Sequence, residues 1–111
     1  MIAIYTVWDR QAVAVLLIPP VGFDALGYRL GYGGGYFDRT LAAMTPQPLK
    51  IGVAFELSRL ETIYPQSYDI PLDFIVTERC IYHNAPGGLE PLAAPGRAAE
   101  LAAQLLASRH P

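Results

Sequence analysis

Three continuous apolar runs stand out from the mixed pattern of hydrophobic and polar positions along the chain. Residues 12–18 (AVAVLLI), 50–55 (KIGVAF) and 73–77 (DFIVT) show little polar alternation. Short apolar runs bounded by proline or glycine are typical of strands that are covered on both faces, as in a parallel sheet. The long separations between the runs leave room for crossover connections, so the pattern predicts an α/β sheet.

Helix and turn signals lie between these runs. Residues 36–44 contain good helix formers and are followed by Pro46, which stops a helix. Residues 58–63 predict a short helix that ends before Pro65. Residues 69–72 predict a turn centred on proline.

The chain divides into three parts by pattern. Residues 1–83 form the α/β domain, and residues 84–96, with three glycines and three prolines, are predicted to be a linker. Residues 97–109 carry a polar stripe beside their leucines, which predicts an amphipathic helix. This helix either caps the sheet or forms a dimer contact.

A glycine-rich segment lies between the first strand and the first predicted helix. Five of the ten glycines fall within residues 27–35, and four of these five lie in the stretch YRLGYGGGYFDRT at 28–40. Glycine permits positive φ and close approach, and such a segment between a strand and a helix commonly presents backbone N–H groups to phosphate. Two interpretations remain open from glycine content alone: a phosphate cradle, and a tight turn that needs unusual backbone angles.

Familiar phosphate motifs do not fit this segment. The lysine of a P-loop is absent, and a dinucleotide spacing that starts at Gly31 and Gly33 meets Tyr36 where its third glycine is required. The neighbouring Arg29 nevertheless has a forked, permanently charged head that suits phosphate oxygens.

A carboxylate beside a phosphate site calls for a cation between them. Asp38 either stabilises the start of the predicted helix or binds Mg²⁺, which is commonly held by one or two carboxylates together with phosphate oxygens. Asp69 and Asp73 are candidates for the second carboxylate, and the alternative for both is turn capping beside Pro71.

Composition narrows the classes of function. Only 16% of the 111 residues are charged, so some apolar surface is expected to face a partner, a missing segment or a second copy of the chain. The formal net charge of −2 argues against nucleic-acid binding, and no apolar run reaches the length of a membrane span. The single cysteine, Cys80, allows no intrachain disulfide, and residues 1–12 lack a signal-peptide pattern. A cytoplasmic setting fits these features best.

Three stretches together resemble the 5-formyltetrahydrofolate cyclo-ligase family, also called methenyltetrahydrofolate synthetases. They are residues 19–42 (PPVGFDALGYRLGYGGGYFDRTLA), 50–56 (KIGVAFE) and 64–78 (YPQSYDIPLDFIVTE). The resemblance runs from about residue 15 to residue 78. Its central motif is long and mixed in composition, which makes it far more specific than a count of glycines.

The resemblance implies an enzyme of folate one-carbon metabolism with small-molecule substrates. Members use ATP and Mg²⁺ to convert 5-formyltetrahydrofolate into 5,10-methenyltetrahydrofolate, with release of ADP and phosphate. The formyl oxygen is phosphorylated first, the folate nitrogen N10 then attacks the activated carbon, and phosphate leaves. The implied fold is a three-layer α/β/α arrangement around a mainly parallel sheet.

Site residues follow from the resemblance by position. It implies that nine consecutive residues line the ATP phosphates: Arg29, Leu30, Gly31, Tyr32, Gly33, Gly34, Gly35, Tyr36 and Phe37. It implies that five of them border the folate: Tyr32, Gly33, Gly34, Gly35 and Tyr36. Asp38 and Asp69 are expected to hold Mg²⁺, and Arg29 is expected to act in catalysis. Such a site supplies mainly alignment and charge neutralisation.

This chain departs from the family's pattern in places. Phe37 stands where many members have tyrosine, and Gly34 stands where some have lysine. Residues 1–10 (MIAIYTVWDR) match none of the family's N-terminal half. The chain is therefore expected to correspond to the C-terminal half of the fold and to have little or no cyclo-ligase activity alone. Two rival hypotheses are a non-catalytic fragment that binds nucleotide weakly and an interaction module with a structural glycine loop.

Overall fold

The structure is a computed structural model that describes residues 2–8, 11–20, 22–30, 39, 42–43, 47–66 and 69–109. Within these residues the elements, in chain order, are β1 (Ile2–Trp8), β2 (Gln11–Ile18), β3 (Gly22–Phe23), β4 (Arg29–Leu30), β5 (Leu49–Val53), a 3₁₀ turn (Glu56–Ser58), β6 (Phe74–Val76), β7 (Ile81–Ala85), β8 (Gly88–Pro91) and the helix α1 (Pro95–Arg109). Among these elements no helix is both long enough and apolar enough to cross a membrane.

The main sheet is mixed, with a parallel centre. In the described part of the chain, six strands have the order β1-β2-β5-β6-β7-β8, and β3 pairs separately with β4. The neighbours β2, β5 and β6 are parallel, whereas β1 and the β7–β8 hairpin add antiparallel strands at the two edges. The predicted α/β class is confirmed, and the three predicted strands are β2, β5 and β6. The predicted helix at 36–44 lies largely outside the described residues, although Arg39 and Ala42 are helical.

The short helix predicted at residues 58–63 is not formed. A single 3₁₀ turn ends at Ser58, and Arg59 is extended, with φ −72° and ψ 128°. The backbone N–H of Leu60 donates to the carbonyl oxygen of Phe23 at 2.7 Å. Here a neighbouring strand satisfies the backbone polar groups that a helix would have satisfied internally.

Residues 84–96 do not form the linker that the sequence predicts. It contains the end of β7, a turn at Pro86 and Gly87, and all of β8, with Asn84 paired to Leu89. Its proline and glycines mark a tight hairpin turn instead of a flexible connection. The helix α1 follows within a few residues and packs against β5 and β7.

The core lies on one face of the parallel strands. The pairing register gives this face four buried side chains: Leu16, Ile18, Ile75 and Tyr82. Phe23 and Leu72, both 0% exposed, come from the two crossover connections and complete the same cluster. Burying each such side chain stabilises the fold by roughly 1.5–3 kcal/mol. The connections that carry the candidate site residues are therefore part of the core packing.

The carboxylate of Asp73 joins β5, β6 and the end of α1. It accepts a bidentate pair from Arg109, with Nη2 at 2.7 Å from Oδ1 and Nη1 at 2.9 Å from Oδ2. Its Oδ2 also accepts the backbone N–H of Lys50 at 2.9 Å. The hydrogen bonds to Asp73 raise the pKa of Arg109 above its usual value. Because both oxygens are used in the fold, the structure favours a structural role for Asp73 over a metal-binding one.

Lys50 is a buried cation beside this pair. Its side chain is 4% exposed, and its Nζ lies 3.7 Å from Asp73 Oδ2 and donates to Gln47 and to Pro48 O. Burial lowers the pKa of Lys50, and the attraction of Asp73 acts in the opposite direction. The attraction between Lys50 and Asp73 therefore offsets only part of the cost of desolvating the ammonium group, as is common for buried pairs.

Replacing Arg109 with glutamine should lower the free energy of unfolding by about 1–3 kcal/mol, because Asp73 would lose charge-assisted donors in a partly buried site. Arg97→Gln is the matched control, since Arg97 lies on the same helix and pairs with Glu100 where both side chains are exposed. An exposed pair of this kind contributes ~0–1 kcal/mol. Urea unfolding measures both variants, and equal losses would contradict a special role for Arg109.

Candidate functional site

A buried carboxylate shapes the turn that leads into β4, the strand that carries Arg29. Asp24 is 2% exposed. Its Oδ1 accepts the backbone N–H groups of Leu26 at 3.0 Å and of Tyr28 at 3.1 Å. A carboxylate that satisfies two backbone donors fixes the conformation of the loop around it. Asp24 thereby sets the direction in which the chain enters β4 and then the glycine-rich segment.

The same turn is held against the crossover between β5 and β6, which carries Asp69. Asp24 Oδ2 accepts the backbone N–H of Ile63 at 3.3 Å. The carbonyl oxygen of Gly27 accepts the backbone N–H of Leu72 at 2.8 Å. Two segments that are distant in sequence, and that each carry a predicted site residue, are therefore joined by direct hydrogen bonds.

The β7–β8 hairpin supports this junction. Asn84 Nδ2 donates to Leu72 O at 3.0 Å, and Leu89 N–H donates to Ala25 O at 2.7 Å. Gly27 has φ +83°, and a Cβ on it would lie 2.6 Å from Asn84 Nδ2. Glycine is required there both by the backbone conformation and by the close approach of the asparagine.

Asp69 lies in a tight turn in front of β6. Its Oδ2 accepts the N–H of Gln66 at 2.7 Å, and its own N–H donates to Gln66 O at 3.0 Å. This is the turn-capping arrangement that the sequence offers as the alternative to metal binding. Capping occupies Oδ2, and Mg²⁺ prefers hard oxygen ligands of this kind. The two roles are compatible, and the metal-binding role remains a prediction.

A second polar cluster lies just beyond the carboxyl ends of β5 and β6. Glu56 Oε1 accepts the hydroxyl of Tyr82 at 2.5 Å, and its Oε2 accepts the hydroxyl of Thr77 at 2.8 Å. The guanidinium of Arg59 lies 5.4 Å from the centroid of the Tyr82 ring. The hydrogen bond from Tyr82 lowers the pKa of Glu56 and raises the pKa of Tyr82 to about 12. Ligands of α/β sheets bind beyond this edge, so the cluster stabilises the border of that region.

The structure describes three of the predicted site residues. Arg29 is half-buried and pairs with Phe23, Leu30 is 41% exposed, and Asp69 lies in the turn before β6. The remaining predicted site residues lie outside the described part of the chain: Gly31, Tyr32, Gly33, Gly34, Gly35, Tyr36, Phe37 and Asp38. The phosphate cradle and the sharing of Mg²⁺ by Asp38 and Asp69 therefore stay predictions.

Sequence reasoning misses Asp24 and Asn84. For Asp24 a signal exists, because aspartate at the first position and glycine at the fourth, as in DALG at residues 24–27, are typical of a β-turn. For Asn84 no local pattern exists, because its acceptor, Leu72 O, belongs to a different connection.

Comparison with known proteins identifies the family. The model of the 5-formyltetrahydrofolate cyclo-ligase family matches residues 6–78, well over half of the 111-residue chain. The chain belongs to this family. The resemblance inferred from the sequence is confirmed. The matched range includes Asp24, Arg29 and Asp69, whereas β7, β8 and α1 lie beyond it.

Individual members of the family give the same result. The 5-formyltetrahydrofolate cyclo-ligase of Mycoplasma pneumoniae (strain ATCC 29342 / M129 / Subtype 1) is 42% identical over 71 residues, which are 64% of this chain and 43% of that protein. The cyclo-ligase of Escherichia coli (strain K12) is 42% identical over 66 residues, which are 57% of this chain and 35% of that protein. The chain thus spans less than half the length of the curated relatives that it matches.

Solved structures of two 5,10-methenyltetrahydrofolate synthetases share the fold. The structure from Aquifex aeolicus has a TM-score of 0.53 and 38% identity, and the match covers 71% of this chain and 39% of that chain. The structure from Mycoplasma pneumoniae has a TM-score of 0.52 and 30% identity, and the match covers 67% and 54%.

Gly27→Ala should lower the free energy of unfolding by about 1–3 kcal/mol, since alanine at this positive φ is strained and its Cβ would clash with Asn84. Gly87→Ala is the matched control, because a Cβ on Gly87 would meet nothing within 4 Å and its φ lies outside the left-handed region. Thermal unfolding measures both. If the two variants are equally stable, the turn tolerates the clash and does not fix the entry to β4.

A tyrosinate step near pH 12 is expected for the wild-type chain, because the pKa of Tyr82 is raised to about 12. Tyr82→Phe should remove this step, as followed by ultraviolet absorbance in an alkaline titration. The raised pKa means that the contribution of Tyr82 to stability is complete below its ordinary value of 10.0 and is lost as the pH rises through about 12. The lowered pKa of Glu56 acts at the other end of the pH scale. Its contribution is lost as the pH falls below the ordinary value of 4.5. An unchanged titration in Tyr82→Phe would contradict the hydrogen bond to Glu56.

Proposed function

We propose that this chain carries the nucleotide- and folate-facing part of a 5-formyltetrahydrofolate cyclo-ligase. The proposed reaction converts 5-formyltetrahydrofolate and ATP into 5,10-methenyltetrahydrofolate, ADP and phosphate, in the cytoplasm. The family match over residues 6–78 carries the proposal. It is supported by relatives named as cyclo-ligases and by related structures named as methenyltetrahydrofolate synthetases.

Arg29 is proposed to orient the ATP phosphates at the entrance of the glycine-rich segment. Its guanidinium is permanently charged and matches phosphate oxygens in shape. It stands in β4, which pairs with β3, immediately after the turn that the Asp24 carboxylate organises. Alignment of this kind matters because small displacements of reacting groups are costly in phosphoryl transfer.

Asp38 and Asp69 are proposed to hold Mg²⁺, which would neutralise charge on the ATP phosphates. The donor chemistry fits, because carboxylate oxygens are the protein ligands that Mg²⁺ commonly uses. Hydrogen bonds with Gln66 hold the Asp69 turn in shape, so its carboxylate would be positioned before the ion arrives.

In the proposed reaction, the residues of this chain would mainly position the reacting groups and would take little part in proton transfer. The formyl oxygen forms a bond to the γ-phosphorus while the bond to the ADP oxygen breaks. The nitrogen N10 then bonds to the activated carbon and loses its proton, and the carbon–oxygen bond to phosphate breaks. Backbone N–H groups and Arg29 would serve by holding the phosphates in line and stabilising the charge that develops.

A second candidate function is an interaction module. Exposed apolar side chains support it: Val53 is 50%, Phe55 is 69% and Leu57 is 94% exposed. Apolar surface of this kind, close together in sequence, is typical of a contact with another protein surface. This alternative predicts self-association or partner binding without affinity for ATP or folate.

Titration calorimetry on the full chain tests the proposal. The wild-type chain should bind ATP more tightly with Mg²⁺ than without it, and Asp69→Asn should lose that gain because one proposed ligand is removed. Glu61→Gln is the matched control, since Glu61 is an exposed carboxylate in the same crossover. Gly34→Val should abolish ATP binding, because a branched side chain would fill the space proposed for phosphate.

Turnover separates the proposal from its rivals. With ATP, Mg²⁺ and 5-formyltetrahydrofolate, the chain alone should form little or no methenyltetrahydrofolate, measured by absorbance, although it binds both substrates. Binding of neither substrate by the wild-type chain would overturn the proposed function and favour the interaction module. Equal ATP affinity in wild type and Gly34→Val would overturn the phosphate cradle.

A further inference from the structure

Tyr64 has a backbone conformation that tyrosine rarely adopts. Its φ is 53°, and the next residue is Pro65. A bulky side chain disfavours the left-handed region, and a residue before proline favours extended angles, so this conformation costs free energy on two counts. Strain of this kind persists only where surrounding contacts enforce it, and it concentrates at functional positions.

Hydrogen bonds on both sides hold the strained residue in place. Tyr64 N–H donates to Thr62 Oγ1 at 3.0 Å, and the preceding N–H, that of Ile63, donates to the buried Asp24 at 3.3 Å. Shortly after Tyr64 the chain enters the turn that the Asp69 carboxylate caps. The strained position is therefore set by anchors on either side.

The strain does not serve core packing. Tyr64 is 80% exposed, so its aromatic ring faces solvent. The two anchors beside it both belong to the proposed site, since Asp24 organises the turn before Arg29 and Asp69 is a proposed magnesium ligand. The backbone strain therefore accompanies an exposed aromatic ring in the crossover that carries Asp69.

We propose that Tyr64 is a specificity residue that stacks its ring on a planar heteroaromatic ring of a substrate, an inference that rests on the proposed function. Both proposed substrates carry such a ring, the adenine of ATP and the pyrimidine ring of the folate's reduced pteridine. Tyrosine gives a large, rigid contact face with little loss of rotamer freedom. Because the strained backbone presents the ring before the ligand arrives, less ordering is needed on binding.

Direct binding to the full chain, measured by calorimetry, tests the inference without turnover. Tyr64→Gly and Tyr64→Ala should bind either MgATP or 5-formyltetrahydrofolate roughly tenfold more weakly, the scale of one lost base–aromatic stack. Tyr64→Phe should keep the affinity, because it keeps the ring. A loss for MgATP identifies adenine as the partner, and a loss for the folate identifies the pteridine.

Ligands without these rings provide the internal control. Magnesium tripolyphosphate carries the phosphates, and 4-aminobenzoylglutamate carries the folate tail. Binding of both should be equal in wild type and in the Tyr64 variants. Glu61→Ala is the control variant, because Glu61 is exposed in the same crossover and should leave every affinity unchanged.

Thermal unfolding gives a second readout that separates strain from packing. Tyr64→Gly should unfold at a higher temperature than wild type, because glycine adopts positive φ without a steric cost, while it binds the ring-bearing ligand more weakly. A lower midpoint would overturn the inference, because it would show that the backbone is not strained.

The failure of this inference is distinguishable from the failure of the proposed function. Unchanged affinity for both ligands in Tyr64→Gly and Tyr64→Ala, or an equal loss in Tyr64→Phe, would overturn the inference and leave the proposed function standing. A wild-type chain that binds neither ligand would overturn both.

Discussion

The buried carboxylate of Asp24 is the contact on which the arrangement of the candidate site depends. Its two oxygens accept backbone N–H groups from its own turn and from the crossover between β5 and β6. A carboxyl group that is only 2% exposed would be costly to bury without such donors. Because these donors come from two connections, Asp24 holds the turn before β4 and the crossover between β5 and β6 together. The geometry of the candidate site is therefore set by a polar contact within the core more than by the strands.

The residues at the two ends of the parallel strands have different roles. Before the first residues of β5 and β6, Asp73 and Arg109 fasten the helix α1 to the sheet. Beyond the last residues, Glu56 and Tyr82 form a cluster on the side where α/β proteins bind ligands. The ion pair is thus separated from the cluster of Glu56 and Tyr82 by the length of the strands.

Local pattern was sufficient for the centre of the sheet but not for its edges. The strands β2, β5 and β6 are apolar on both sides of the chain, and that pattern is hard to mistake. The hairpin β7–β8 was hidden because Pro86 and Gly87 suit both a linker and a tight turn, and the choice depends on pairing between strands. The strand β1 has β-branched and aromatic residues, which favour a strand, but it lacks the continuous apolar run that marks the central strands.

For the candidate site, the sequence identified the segments that carry the site residues but not the residues that hold those segments in place. Arg29 and Asp69 were identified through the family motif, which is continuous along the chain. Asp24, Asn84 and Tyr64 act through contacts with other connections or through a single backbone angle. Such features depend on tertiary structure, so a sequence motif does not reveal them.

The contact between Asp73 and Arg109 has a consequence for the order in which contacts can form during synthesis of the chain. A polypeptide emerges from the ribosome in order, so Lys50 and Asp73 are made well before Arg109. Until Arg109 has been made, the carboxylate of Asp73 lacks its bidentate partner, and Lys50 lies beside it. The attachment of α1 to the sheet through this ion pair can therefore form only once the last turn of the helix has been synthesised.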